Sequence, residues 1–115
     1  MDEDRLPRFR ALLIVRRDEL QALSETSAES RGAVELDQQS VGRLSRMDAM
    51  QHQAMAAANE RQRAAELSRI AAALDRLGRG DYGYCLSCGE DIAERRLEID
   101  PSATLCVDCA RARDR

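Results

Sequence analysis

Four cysteines constrain this chain of 115 residues more tightly than any other feature. Cys85, Cys88, Cys106 and Cys109 follow the spacing C-x2-C-x17-C-x2-C, all within the last third of the sequence. Two residues between a pair of thiols let one tight turn present both sulfurs to a single ion, and two such turns complete a tetrahedron. Three other uses compete with zinc. Disulfides suit an oxidising compartment. A rubredoxin-like iron site uses similar ligands, and a redox C-x2-C sits at the start of a helix in a strand–helix–strand unit. The paired spacing, the absence of such a strand pattern and the expected reducing compartment favour one Zn2+. Four thiolates close the coordination sphere, so the metal is expected to be structural, with no position open to water or substrate. It stands in for the hydrophobic core that so small a module cannot build.

The residues before the cysteines are of another kind. They are rich in Arg, Glu and Ala and nearly free of Gly and Pro, which is a helical composition. Leu6, Phe9, Leu13, Leu20 and Leu23 follow an a/d heptad spacing interrupted by Arg16, and Pro7 fits a first helical turn. A helix is expected from about residue 4 to the mid-twenties. Ser24 to Asp37 loses the seam and gains small polar residues and Gly32, which suggests a turn region. Helical pattern resumes near Ser40 and runs to Leu77 through Val41, Leu44, Met47, Met55, Leu67, Ile70 and Leu74. Met47, Met50 and Met55 suggest an adaptable binding surface or seam packing, of which seam packing is the expected role, and His52 is expected at the surface.

A helix of ~40 residues, roughly 60 Å long, is not stable alone in water. The first helix is the long partner available, folded back against it, and the C-terminal module is the candidate support for the base. Gly78, Gly80 and Gly83 supply the stop and the turns into that module. The expected fold is mainly α. An antiparallel coiled-coil helical hairpin over residues 1–78, with its turn at about 25–37, precedes a small four-cysteine zinc-finger module with a C-terminal helix over 79–115. The core is Ala- and Leu-based, since aromatic residues are only 3% of the chain, namely Phe9, Tyr82 and Tyr84. Both tyrosines are expected to pack around the zinc turns and the helix base.

Charge narrows the partners. The net charge is −3, and residues 79–115 carry six Arg against eight acids, so a primary grip on a phosphate backbone is disfavoured. The Arg95-Arg96 pair is expected to be solvated or salt-bridged. No apolar run approaches the ~20 residues that span a bilayer, and Met1-Asp2-Glu3-Asp4-Arg5 lacks a signal-peptide pattern. A cytoplasmic protein without membrane contact is expected. No nucleophile–base arrangement points to an enzyme.

Gly80-Asp81-Tyr82-Gly83-Tyr84-Cys85, Cys88-Gly89-Glu90-Asp91-Ile92, Arg95-Arg96-Leu97-Glu98, Pro101 and Thr104-Leu105-Cys106-Val107-Asp108-Cys109 closely resemble the DksA/TraR family of bacterial zinc-finger proteins. The specific motif covers roughly residues 80–110, and the hairpin before it agrees in architecture. The resemblance implies a coiled-coil hairpin joined to a globular part made of the zinc finger and a C-terminal helix, here capped by Asp100 or Ser102. It implies a transcriptional regulator that binds RNA polymerase directly, not DNA. The hairpin enters the secondary channel, and acids at its tip act near the active site. Several members work with ppGpp; the family-like place for a base that contacts it is the helix just before the finger, where Arg69 or Arg63 could serve and neither is assigned. The family's tip motif, Asp-x-x-Asp-x-Ala, is only partly matched: Asp37 is followed by Ser40 and Gly42. Glu35 and Asp37 are the candidate tip acids. Their alternative role is that of solvated charges at a helix N-terminus. The competing functional readings are a zinc-stabilised adaptor for another protein and a nucleic-acid-binding zinc ribbon.

Overall fold

The structure is a computed structural model that describes the backbone of residues 3–37 and 43–114, with side chains described outside 27–45. A short 3-10 turn, Glu3–Arg5, leads into α1 (Leu6–Asp37); α2 spans Arg43–Arg79, α3 Glu94–Ile99 and α4 Val107–Arg113. Among the described residues the only sheet-like pairing is one isolated antiparallel bridge, Tyr84 to Asp91. The fold is mainly helical, an antiparallel hairpin of α1 and α2 followed by the four-cysteine module.

The first helix corrects the expected turn at 25–37. The backbone is helical through Asp37, and the connection to α2 falls on residues outside the described set. Loss of an apolar seam does not break a helix. Ala, Glu and Arg carry high propensity, Ser is neutral, and the single Gly32 costs only about 1 kcal/mol. At its other end α2 stops where a left-handed residue is available. Gly80 has φ +79°, its N–H donates to the Leu77 carbonyl at 3.3 Å, and the Asp81 N–H donates to the Arg76 carbonyl at 2.8 Å. These two bonds form a Schellman cap, so Gly80 ends the helix while Gly78 lies inside its last turn.

Residues pack into two compact units, one of Met1–Arg17 with Glu66–Arg115 and one of Asp18–Ala65. A division at residue 78 follows the change in composition, whereas these units follow packing: the base of both long helices is grouped with the cysteine module. The first unit takes the early part of α1 with the late part of α2, and the second the late part of α1 with the early part of α2, which is antiparallel pairing.

The core of the first unit comes from every element in it. Phe9 and Leu13 of α1, Ile70, Ala73 and Leu77 of α2, Tyr82, Ile92, Leu97 of α3 and Ala103 are all buried. Phe9, Leu13, Ile70 and Leu97 are the large apolar side chains fully removed from water, each stabilising by about 1.5–3 kcal/mol. The Phe9 and Tyr82 rings meet with centroids 5.8 Å apart at 41°. Arg16 pairs with Glu66 through Nε–Oε2 at 2.6 Å and a second contact at 3.2 Å, which satisfies the polar intruder of the seam. Arg5 pairs with Glu94, and Arg8 with Glu98 at 3.2 Å. All of these groups are partly exposed, so each pair contributes at most about 1 kcal/mol.

In the second unit Leu20 is buried, but Leu23 is half exposed and Ser24 takes the inward place, its Oγ buried without a hydrogen-bond partner. A straight helix drifts against a strict seven-residue repeat, so the step from Leu20 lands on i+4. On α2 the side chains that are less exposed fall at Ala56, Glu60, Arg63, Leu67, Ile70, Leu74 and Leu77, a run that bypasses the methionines. Met47, Met50 and Met55 are exposed, which overturns their expected seam packing. Glu60 and Arg63 hold the seam instead as a 2.9 Å ion pair.

Tyr82 fastens the base. Its hydroxyl donates to the Pro101 carbonyl at 2.7 Å. Burial pushes its pKa from 10.0 up to about 12; the Arg76 charge opposes that shift and Asp100 adds to it. A phenol whose folded pKa is raised contributes stability below pH 10 that disappears as pH climbs through about 12. The protein should therefore lose stability between these values, and Tyr82→Phe should flatten that loss. Urea unfolding at a series of alkaline pH values checks it; equal slopes for the two proteins would exclude Tyr82 as the titrating group.

Candidate metal centre

The chain between α2 and α4 carries its cysteines on two short turns. In the first, the Cys85 N–H donates to the Glu90 carbonyl at 2.8 Å, Gly89 N–H returns to the Cys85 carbonyl at 2.9 Å, and Ile92 N–H reaches the Gly83 carbonyl at 2.8 Å. This closes a tight loop around Leu86 to Gly89. The Leu86 N–H then donates to the Thr104 carbonyl at 2.8 Å, which fixes the first turn against the segment entering the second. In the second turn Cys106 is the residue before α4 and Cys109 lies three residues on, so both thiols fall on one face. The expected caps are displaced. Asp100 Oδ1 accepts from the Ser102 N–H at 3.2 Å and from its hydroxyl at 2.9 Å, a turn between α3 and α4, and α4 opens at Cys106.

The result is one cluster. The Sγ atoms of Cys85, Cys88, Cys106 and Cys109 all lie within 4.8 Å of one another, with Cys88 and Cys106 3.8 Å apart. Four sulfurs at about 2.3 Å from a central ion stand at such spacings. Their protonation is interdependent. Backbone N–H groups of Cys106 and Cys88 lower Cys85 to about 6, while the thiols of Cys106, Cys85 and Cys88 push Cys109 up to about 12. Four adjacent sulfurs do not shed their protons together unless a cation balances them, so zinc must displace protons and its affinity rises with pH. All four ligand positions are taken by protein, which leaves a structural metal and no catalytic opening.

Gly89 is required by its backbone and not by space. Its φ is +75°, and nothing lies within 4 Å of where a Cβ would stand. The left-handed φ alone therefore selects glycine at this position. Gly89→Ala should cost about 1–2 kcal/mol of left-handed strain. Competition with a chromophoric chelator should show zinc affinity lower by roughly 5- to 30-fold. Unchanged affinity would mean that the turn relaxes out of the left-handed region.

Several neighbours were not legible as functional. Arg96 is no loose surface charge: its Nε donates to the Leu105 carbonyl at 2.8 Å, bracing the strand of chain before Cys106. Arg95 is exposed, as expected. Tyr84, expected to pack, is 45% exposed. Arg63 is engaged by Glu60, whereas Arg69 lines a cavity of about 230 Å³ with Arg96, Asp100, Thr104, Arg113 and Asp114. Glu35 and Asp37 stand in the last turn of α1, and their side chains lie outside the described residues. That position excludes the helix N-terminal role, since negative charge is disfavoured at a helix C-terminus.

Hairpin and site define a class of protein: a helical hairpin whose base is built into a four-thiol zinc finger, with one structural zinc. Residues 80–115 match the prokaryotic dksA/traR C4-type zinc finger. The structure of transcription factor DksA2 from Pseudomonas aeruginosa superposes with a TM-score of 0.84 at 32% identity, covering 99% of this chain and 86% of that one. The chain belongs to the DksA/TraR family. Similarity to further relatives is concentrated in a shorter stretch. The RNA polymerase-binding transcription factor DksA of Haemophilus influenzae is 51% identical over 43 residues, which is 37% of this chain and 30% of that protein. The protein of the same name from Escherichia coli K12 is 46% identical over 43 residues, 28% of its length. The matched stretch thus spans under a third of these two relatives.

Proposed function

We propose that this protein is a transcriptional regulator that binds RNA polymerase directly, its hairpin entering the secondary channel. One zinc, held by Cys85, Cys88, Cys106 and Cys109, keeps the hairpin base and the finger together. The observation that carries this reading is the match to DksA2 over 99% of the chain, so that hairpin and finger are both represented in one relative. The names of the DksA relatives supply the partner. Glu35 and Asp37, in the last turn of α1, are the acids we assign to the tip on the family resemblance. The action is steric and electrostatic, with no catalytic step, and takes place in the cytoplasm. No helix among the described residues is long and apolar enough to cross a membrane, which is compatible with that location. Contact with DNA is not part of the reading, because residues 79–115 carry more acids than arginines.

An alarmone such as ppGpp fits as an effector at the Arg69 cavity, where Arg96 and Arg113 add positive charge and Asp100 and Asp114 oppose it. Arg69 is the base assigned to it, since Arg63 is paired with Glu60.

Zinc-loaded protein passed over immobilised RNA polymerase should be retained, and transcription from a ribosomal promoter should change on its addition. Asp37→Asn should leave retention intact while reducing the transcriptional effect. No retention, with salt-sensitive binding to a DNA fragment instead, would overturn the reading in favour of a nucleic-acid-binding ribbon.

A further inference from the structure

Three methionines of α2 are misplaced for packing. Met47, Met50 and Met55 are 59%, 67% and 65% exposed, on the unit formed by Asp18–Ala65. They occupy an arc of about 140° on the helix, with Met47 and Met50 neighbours at i, i+3. Around them the sequence is Asp48-Ala49, Gln51-His52-Gln53-Ala54 and Ala56-Ala57-Ala58-Asn59. From 47 to 59 the one formal charge is Asp48, in a chain that is 34% charged. No large neighbour in sequence shields the thioethers, and these long apolar side chains face solvent.

Exposed thioethers have a specific chemistry. The sulfur lone pair attacks the outer oxygen of a peroxide, the O–O bond breaks, and the departing hydroxide takes a proton to become water. The sulfur is oxidised by two electrons to the sulfoxide, and a thiol-dependent sulfoxide reductase returns it. We propose that Met47, Met50 and Met55 are a reversible oxidation site of the hairpin, at which peroxide-class oxidants convert the thioethers to sulfoxides and so weaken binding to RNA polymerase. The second half rests on the function proposed above. The sulfoxides face water, so the fold tolerates them. What changes is the surface, from an adaptable apolar stretch to one of strong hydrogen-bond acceptors. His52, also exposed, adds a polar group beside Met55 and none that protects it.

Trypsin cleaves after Arg46 and Arg61, which leaves all three methionines on one peptide. Zinc-loaded full-length protein treated with hydrogen peroxide should yield that peptide with one, two and three added oxygens. Helical circular dichroism should be unchanged, and sulfoxide reductase should reverse the masses. The oxidised protein, and a variant with all three methionines changed to Gln, should bind polymerase about tenfold more weakly. A triple Leu variant should bind like the unmodified protein and be insensitive to peroxide. An unoxidised peptide, or oxidation without weaker retention, overturns the proposal. Failure of the reduced protein to bind polymerase overturns the function on which its second half rests and leaves the peptide masses to decide the first.

Discussion

Chelating the zinc should unfold the first compact unit while the helices of the second persist. In circular dichroism the helical signal should fall in part, and the near-ultraviolet signal of Tyr82, fixed against Phe9, should disappear. The reason lies in how little else holds the module. Its elements are a six-residue helix, a seven-residue helix and an isolated bridge, each too short to survive alone. Its own buried side chains are few, chiefly Tyr82, Ile92, Leu97 and Ala103. Apparent zinc binding to structural sites is worth about 10–16 kcal/mol at neutral pH, as large as the whole stability of an ordinary domain. Loss of the module also strips the cover from Phe9, Leu13, Ile70 and Leu77, so damage should spread into the base of α1 and α2. Cys85→Ser should act in the same direction, because Cys85 is the ligand buried at the join with Tyr82. Identical spectra with and without chelator, together with less than one equivalent of zinc by metal analysis, would dismiss a structural metal.

The sequence was informative in proportion to how local each determinant is. C-x2-C pairs are short-range geometry, so the cluster of four sulfurs could be anticipated from spacing alone. The stop of α2 was equally local, with Gly80 as the residue that takes φ +79°. The extent of α1 was not, because Ser24 to Asp37 carries neither a strong breaker nor a seam. A missing apolar stripe reports on packing and says little about the backbone. The methionines failed for the opposite reason: they matched an apolar pattern, but which face of a long Ala-rich helix turns inward is set by its partner. Alanine fits either face, and the register came from Leu67, Ile70, Leu74 and Leu77, with Glu60 and Arg63 filling seam places that no hydropathy pattern assigns to charge. α3 escaped notice because six residues are too few to show a period, although Leu97 is completely buried on it. Arg96 was invisible as a brace, since its acceptor is a backbone carbonyl nine residues away.

Phe9→Ala should be the most damaging single substitution outside the cysteines. Phe9 is the sole phenylalanine of the chain and 1% exposed, so truncation removes a ring from a filled site and leaves a cavity. Such changes cost about 3–5 kcal/mol. The tilted contact with Tyr82 adds roughly 0.5–1.5 kcal/mol to what is lost. For a unit of this size that corresponds to a fall in Tm of more than about 12 °C. Val15→Ala, on the same helix but 57% exposed, should stay within about 0.5 kcal/mol and serves as the control. A double-mutant cycle separates the ring contact from simple burial: Phe9→Leu and Tyr82→Leu, singly and together, should be non-additive by about 0.5–1.5 kcal/mol. Additive effects would show that the two rings share a core without a specific contact. Phe9→Ala should also weaken zinc retention, because Tyr82 joins Phe9 on one side and the Pro101 carbonyl of the finger on the other. If thermal melts and chelator competition both match the unsubstituted protein, helix base and finger are independent, and the metal stabilises only the loop that binds it.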